Sequence, residues 1–380
     1  MSQVSSEYQH KLALSSESTD SVSRLDFLDG LRGLACLLVL IHHAYIQVWN
    51  IFKGEKPPQS LRFLTGWMLY GHFAVSVFIV ISGFCLMIPI LRNGGELKGG
   101  VLLFFRKRSR RILPPYYFAL LLSLILPIFA PRITPGVRST DILTHLLMIH
   151  NLFRGHIGSI NGVFWSIAVE CQIYLLFPAL VWLWRTLGGI PAVLLTTGGA
   201  YFISYLILPT SLAGLTPHYI ALFALGMLGC TIAFSAENFW QSLRAKMLWG
   251  VILAGLSGLI LAWSYGIGWE RALGEFQTMT DLGVGIWAMT LLVVASSDVE
   301  NLSRNLLSWK PIVTLGRFAY SIYLVHLPLL LIAWKYGVQP LKLAPTAAFA
   351  MLLSFCPIII SASWLFYTLC EKPFIRHVSK

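Results

Sequence analysis

Ten apolar runs separated by short polar stretches organise this chain. They cover roughly residues 27–49, 67–91, 112–130, 164–184, 190–209, 217–235, 246–266, 282–297, 311–334 and 346–370. Most reach the ~18–20 residues that a helix needs to cross a bilayer core. The third is short and carries Pro114 and Pro115 at its start, where a missing N–H costs a first helical turn little. The eighth is short as well. The pattern predicts an all-α polytopic membrane protein of about ten transmembrane helices.

The polar stretches leave no room for a long soluble domain. The longest on the side away from the N-terminus is about 131–163, and its portion 142–153 is expected to lie along the membrane surface. The first 23 residues are rich in Ser, Glu and Gln and predict a disordered tail. They lack the charged and apolar regions of a cleaved signal peptide. A membrane domain over 24–376 and a short tail over 377–380 complete the expected organisation. Neither an internal repeat of fixed period nor a pair of broken helices of the transporter kind is visible.

Composition agrees. Hydrophobic residues make up 56% of the chain and charged residues 12%, with a mean hydropathy of +0.71, the balance of an integral membrane protein. The net charge of +12 does not indicate nucleic acid, because the basic residues crowd the ends of apolar runs. With the N-terminus in the cytoplasm, 19 of the 28 basic residues fall on the cytoplasmic side, seven of them in 92–111. That asymmetry sets orientation and, with an even number of spans, places the C-terminus in the cytoplasm too. A cell membrane location follows. The six cysteines sit in or at the ends of apolar runs, at no metal-ligand spacing, and read as packing residues. No metal site is expected, and neither a Gly-x-Ser-x-Gly elbow nor a His-Glu-x-x-His motif occurs.

Ionisable residues inside the apolar runs are the candidates for chemistry, since burying charge in a membrane is costly. Arg32 and His43 share the first run. Eleven helical steps bring them within about 20° of one face and about 16 Å apart along the axis. The bland alternative for His43 is a packing histidine. The run from Arg106 to Arg111 either marks topology and attracts anionic lipid or clamps phosphate, for which guanidinium groups suit a polyanion such as the nucleotide end of coenzyme A. Glu170 is the one carboxylate well inside a span. It is a packing group, bonded to Trp165, Ser166 or Tyr174, or a proton acceptor or partner for a histidine. Tyr320, Tyr323 and His326 form a stripe in the ninth run, ahead of a kink expected after Pro328; interfacial aromatics with a structural histidine are the alternative. At a rise of 1.5 Å per residue, His43 lies about 24 Å from the cytoplasmic start of its span, His326 about 21 Å, and Glu170 about 10 Å below the outer surface. The two histidines and the carboxylate are therefore expected to converge in the outer half, with the arginines at the cytoplasmic face.

Five motifs then resemble those of the acyltransferase 3 family of integral-membrane O-acyltransferases. They are Leu28-Asp29-Gly30-Leu31-Arg32-Gly33 with His43, Ser76 to Phe84 with its Ser82-Gly83-Phe84, Arg108-Ser109-Arg110-Arg111-Ile112 with Pro114, Phe164-Trp165-Ser166 with Glu170 and Tyr174, and Tyr320-Ser321-Ile322-Tyr323 with His326 and Pro328. Glu371-Lys372-Pro373-Phe374 fits as well, and the resemblance covers about 24–376. It implies ten core spans and transfer of an acyl group, usually acetyl, from cytoplasmic acyl-CoA to a hydroxyl of an acceptor such as a glycan, lipid-linked sugar or glycosylated metabolite. Carried over residue by residue, it makes His43 the general base, with Arg32 and Glu170 as further catalytic groups. Arg108 and Arg111, together with Arg106, would hold the nucleotide of the donor. Tyr323, His326, Trp165, Tyr174 and Ser82 would face the acceptor or support the base. A covalent acyl-histidine relay is the alternative to direct attack. Two positions depart from the family pattern: His42 precedes His43, and Cys171 stands where relatives often have a second acidic residue. The hydrolase-like domain fused to some members is not expected. A transporter or flippase of a polar or lipid-linked substrate is the competing function, and a non-catalytic scaffold would leave the buried charges unexplained.

Overall fold

The computed structural model describes residues 25–49, 56–129, 136–207, 210–297, 299 and 301–376. The two expected tails, 1–23 and 377–380, lie outside the described residues. Among the described residues the secondary structure is entirely helical, as it must be where lipid offers the backbone no hydrogen-bond partners. The helices are α1 Asp26–Trp49, α2 Gln59–Thr65, α3 Ala74–Arg92, α4 Gly100–Phe129, α5 Ser139–Leu146, α6 Phe164–Leu187, α7 Gly189–Phe202, α8 His218–Phe234, α9 Asn238–Lys246, α10 Trp249–Leu273, α11 Gln277–Ala295, α12 Leu302–Leu307, α13 Lys310–Arg317, α14 Ala319–Ile332, α15 Pro345–Ser354, α16 Cys356–Phe366 and α17 Lys372–Arg376.

Eight helical stretches are long and apolar enough to cross a membrane, and the bent pair α8–α9, turned by 90°, makes a ninth. The protein is a multi-pass integral membrane protein. Nine of the ten expected spans appear in this set. The remaining one, 112–130, is the second half of the 30-residue α4. Its prolines do not start a helix: α4 begins at Gly100 and runs through Pro114 and Pro115. The carbonyls that these prolines leave without N–H partners are those of Arg110 and Arg111, two exposed residues. The ninth run also differs. A break at Phe318 (φ −128°, ψ 23°) divides it into α13 and α14. The helix does pass through Pro328, and it widens to π geometry over Ala333–Val338.

Small residues set the innermost packing, as expected where apolar lipid gives helices no hydrophobic reason to associate. A Cβ on Gly83 would collide with the Phe223 carbonyl, and one on Gly226 with the Val80 carbonyl, so α3 and α8 cross backbone to backbone. Gly33 and Gly316 do the same for α1 and α13 against Ile312 and Asp29. These contacts account for the glycines next to Arg32 and Ser82: they bring the neighbouring polar residues into the bundle interior. At the periphery, the most apolar stretch of α10 is not buried at all, with Leu259 and Tyr265 turned outward.

The segment 136–163 is two-faced. Leu143, Leu146, Leu147 and Phe153 are exposed, which suits an interfacial position. Asp141, His145, His150 and Asn151 are buried on the other side. The Arg138 guanidinium donates to both Asp141 oxygens at 3.1 Å, and the His156 ring lies 2.5 Å from Oδ1. Arg138 holds the Asp141 carboxyl well below the usual carboxylate range. The His145 and His150 rings stack at 3.9 Å. His145 Nδ1–H donates to the Asp141 carbonyl, whereas among the described residues His145 Nε2 and both His150 nitrogens have no hydrogen-bond partner. Burial lowers both histidines, His150 to about 3.

That depression has a definite sign. The unfolded segment binds protons near pH 6.5 and the folded one does not, so stability is complete above that pH and falls as pH drops. Loss of the Asp141 contacts adds to it only below the ordinary carboxylate range. Hydrogen-exchange protection in 136–163, taken relative to the intrinsic rate at each pH, is expected to fall between pH 6.5 and 4, and less so in His150→Phe. Protection that holds unchanged to pH 4 would refute this.

Candidate active site

One face of α3 serves as a ruler for the bundle interior. Val75, Phe78, Ser82, Cys85, Ile88 and Arg92 recur at three- or four-residue spacing and line a cavity of about 540 Å³. From Phe78 to Arg92 the face spans about 21 Å. Arg92 and Arg317 are exposed at one end, beside Leu25 and Ile375. At the other end Phe78 packs edge-on against Tyr323, whose hydroxyl lies 2.7 Å from Ser166 Oγ.

Between the two ends the cavity is polar. Ser82 Oγ donates to Glu170 at 3.0 Å, the Tyr174 hydroxyl donates to the same carboxylate, and Ser82 and Tyr174 touch at 2.5 Å. The Arg108 guanidinium lies 5.8 Å from the Tyr174 ring centre. Near the level of Cys85, Arg32 donates to Cys85 Sγ and pairs with Asp29, both at 3.0 Å. Glu371 is buried, accepts a hydrogen bond from Ser321 and lines the same cavity as Arg111. Five guanidinium groups (Arg32, Arg92, Arg108, Arg111 and Arg317) thus face three carboxylates (Asp29, Glu170 and Glu371). The excess is positive, and a polyanion is the complementary ligand.

His43 lies just beyond the Tyr323 end and does not line the cavity. The hydrogen bonds around it settle its tautomer. His326 Nδ1–H donates to the Tyr323 and Ile322 carbonyls at 2.8 and 3.0 Å, so its Nε2 is an acceptor. His43 Nδ1–H donates to the Val39 carbonyl at 2.9 Å and faces His326 Nε2 at 3.3 Å. Among the described residues the His43 Nε2 lone pair has no hydrogen-bond partner, as a general base requires. His42 is different: its Nδ1–H donates to the Met68 carbonyl at 3.0 Å, and Gly71 packs directly on its Cβ. It joins α1 to the helical turns before α3.

The sequence-derived site is therefore partly assembled. His43 and His326 meet. Glu170 does not join them, because its bonds go to Ser82 and Tyr174, one helical turn from the Ser166–Tyr323 contact. Arg32 stays with Asp29 and Cys85, remote from the imidazole eleven residues on. Arg108 and Arg111 line the cavity but Arg106 is exposed and does not, since it is two residues, or about 200°, around α4 from Arg108. Trp165 also stays outside, stacked on His72 at 5.7 Å. Arg92, Arg317, Glu371 and Cys85 line the cavity without having been singled out for it. For Arg92 and Cys85 the signal was the regular spacing from Ser82. A second buried polar cluster, in which Asp281 accepts from Ser76 and lies 3.1 Å from His218 Nε2, also went unread.

Residues 25–368 match the acyltransferase 3 family, described as an acyltransferase domain. The chain belongs to this family. It is 25% identical to the acyltransferase MdmB of Streptomyces mycarofaciens, over 93% of this chain and 92% of that protein. It is 23% identical to the O-acetyltransferase OatA of Staphylococcus aureus, over 82% of this chain and 51% of the relative. With the peptidoglycan O-acetyltransferase OatA of Listeria monocytogenes it shares 25% identity, over 80% and 49%. The chain thus spans about half the length of the two OatA proteins. No solved structure matches it significantly.

Proposed function

We propose that the protein transfers an acyl group, in the first instance acetyl, from cytoplasmic acyl-CoA to a hydroxyl of a glycan or glycosylated metabolite. The observation that carries this reading is the arrangement along one axis: a basic cavity that stops at Tyr323 and Ser166, with a base-competent imidazole immediately beyond. The excess of basic residues around the open end favours a cytoplasmic mouth. Arg108 and Arg111 hold the donor's phosphates, and its thioester end points towards Tyr323. The acceptor hydroxyl gives its proton to His43 Nε2 as its oxygen attacks the thioester carbonyl, and the coenzyme A thiolate leaves. His326 Nε2 accepts from His43 Nδ1–H throughout, which fixes the ring and supports its positive charge. The names of the relatives favour acetyl as the acyl group and a glycan as the acceptor.

The test uses purified full-length protein with acyl-CoAs of increasing chain length, with and without soluble glycans as acceptors. Release of free thiol is expected for acetyl-CoA, slow without an acceptor and faster with one. If no acyl-CoA is consumed and coenzyme A does not bind, the protein is not an acyl-CoA-dependent transferase.

A further inference from the structure

Beyond the Tyr323 end of the cavity, a ladder of polar residues joins α3 and the turns before it to α11. Its deeper rung is closed. Ser76 donates to Asp281, and the other Asp281 oxygen lies 3.1 Å from His218 Nε2. All three side chains are buried. The second rung, one turn earlier in both segments, is open. His72, in the turns before α3, and Gln277, the first residue of α11, are half-buried. The Gln277 amide donates to His72 Nε2 at 3.0 Å. His72 Nδ1 then carries the proton, so the pair presents one donor, His72 Nδ1–H, and one acceptor, Gln277 Oε1. Turning the amide round exchanges the two roles and leaves the same complement. Among the described residues neither atom has a partner. Trp165 stacks on His72 with the ring planes 11° apart and steadies the imidazole. The Tyr219 hydroxyl, buried beside Ser76 and Gln277, is also unpartnered among the described residues, and a buried hydroxyl left unpaired is costly.

The open rung adjoins the reacting centre on the side away from the donor. Phe78 marks the Tyr323 end of the cavity, and His72 lies six residues further from the mouth, about 10 Å along α3 and the turns before it. Gly71 packs on His42, and His72 is close enough to His43 to act on it electrostatically. Trp165 precedes Ser166, the partner of Tyr323. His43 is half-buried yet does not line the donor cavity, so the exposed part of its ring is reached from elsewhere. A simple alcohol would need only His43. A neutral donor beside a neutral acceptor complements two neighbouring hydroxyls, each of which gives and takes a hydrogen bond. Neither group offers the charge that an anionic acceptor would require. We infer that His72 and Gln277 form a specificity site for a second and third hydroxyl of the acceptor, which is thereby a ring polyol with neighbouring hydroxyls. This rests on the transferase reading above and deepens it, because it names residues outside the sequence motifs that select a polyol over a simple alcohol.

Acceptor-stimulated thiol release from acetyl-CoA by the purified full-length protein tests the assignment. The probes are the methyl glycosides of glucose, galactose and N-acetylglucosamine, set against tetrahydropyran-2-methanol, which keeps the ring and the primary hydroxyl alone. For the best glycoside, wild type should show a KM about tenfold or more below that for the single-hydroxyl ring, the range expected for two neutral hydrogen bonds. His72→Phe/Gln277→Met keeps both side-chain shapes and removes both polar atoms. Its two KM values should converge on the wild-type value for the single-hydroxyl ring, with the acetyl-CoA KM unchanged. Each single variant should lose part of the preference, and His72→Asn, which returns a donor, should keep more of it than His72→Phe; these decide the matter if the double variant folds poorly. Ser76→Ala, in the closed rung, should lower thermal stability and leave the KM ratio intact. Equal KM values in wild type, or a preference that survives the double substitution, would overturn the site while the transferase reading stands. Stimulation by none of the glycosides, with acetyl-CoA still consumed, would overturn the polyol acceptor and leave the donor reading. If acetyl-CoA is neither bound nor consumed, both fall.

Discussion

Replacing His43 with Ala is expected to lower acyl transfer by about 10²–10⁴-fold, the usual cost of a lost general base. Coenzyme A affinity should be close to that of wild type, because His43 lies outside the donor cavity. The loss should thus appear in kcat, with the donor KM little changed. His42→Ala provides the contrast. It removes a hydrogen bond to the Met68 carbonyl and a packing contact with Gly71, so it should cost stability more than turnover. His326→Ala should fall between the two. His326 acts through His43, by accepting from its Nδ1–H, and His326→Gln should restore part of the activity by supplying another acceptor. Turnover assays alongside thermal unfolding of the four variants would decide. Near-normal transfer by His43→Ala, with collapse in His42→Ala, would mean that the reactive imidazole is the other one.

The membrane architecture was readable in the sequence because a span of apolar residues has few other uses. The boundaries that failed did so for specific reasons. Between Ile312 and Ile332 the break at Phe318 coincides with Gly316 and Arg317, but a single charged residue near the end of an apolar run reads equally well as a membrane-interface residue within one continuous helix. The depth assigned to His326 by counting from residue 311 therefore used a helix that does not exist as one piece. His326 still meets His43, because the position of α14 is set by packing against α1. Pro114 and Pro115 were equally misleading. Read as a helix start, they hid the fact that the basic run is itself helical, and with it the phase that places Arg108 and Arg111 on the cavity wall and Arg106 off it.

The site was readable where one helix carried the information, and not where two had to be oriented against each other. Arg32 and His43 lie on one helix at a fixed spacing. The partner of Glu170 depends on how α6 is rotated against α3, and the rotation favours Ser82. Depth alone placed the carboxylate near the histidines, but it carries no information about rotation. Gly83 and Gly226 hold part of that information, since they bring α3 and α8 into backbone contact and so fix the face of α3 that points into the cavity.

The second large effect is expected at Arg108 and Arg111. Arg108→Ala/Arg111→Ala should weaken coenzyme A binding by about 10²-fold or more, if each guanidinium contributes the ~1.5–3 kcal/mol of a charged hydrogen bond. Among the described residues neither arginine forms an ion pair. Their removal breaks no ion pair, but it takes positive charge from the surroundings of Glu170 and the buried Glu371, so thermal unfolding of the double variant is measured alongside to separate a stability cost from lost binding. Glu170 keeps its bonds to Ser82 and Tyr174, so the fold should tolerate the change. Lysine at both positions should recover only part of the affinity, because a point charge lacks the planar fork that meets two phosphate oxygens together. Acetyl-pantetheine lacks the nucleotide and should bind wild type and double variant alike. Transfer from it should be slow in both and equal between them, since His43 and Tyr323 are untouched. Calorimetry for binding and thiol release for turnover would separate these outcomes. Unchanged coenzyme A affinity in the double variant would assign Arg108 and Arg111 to membrane topology or lipid contact, and the phosphate ligands would then have to come from the remaining cavity arginines, Arg32, Arg92 and Arg317.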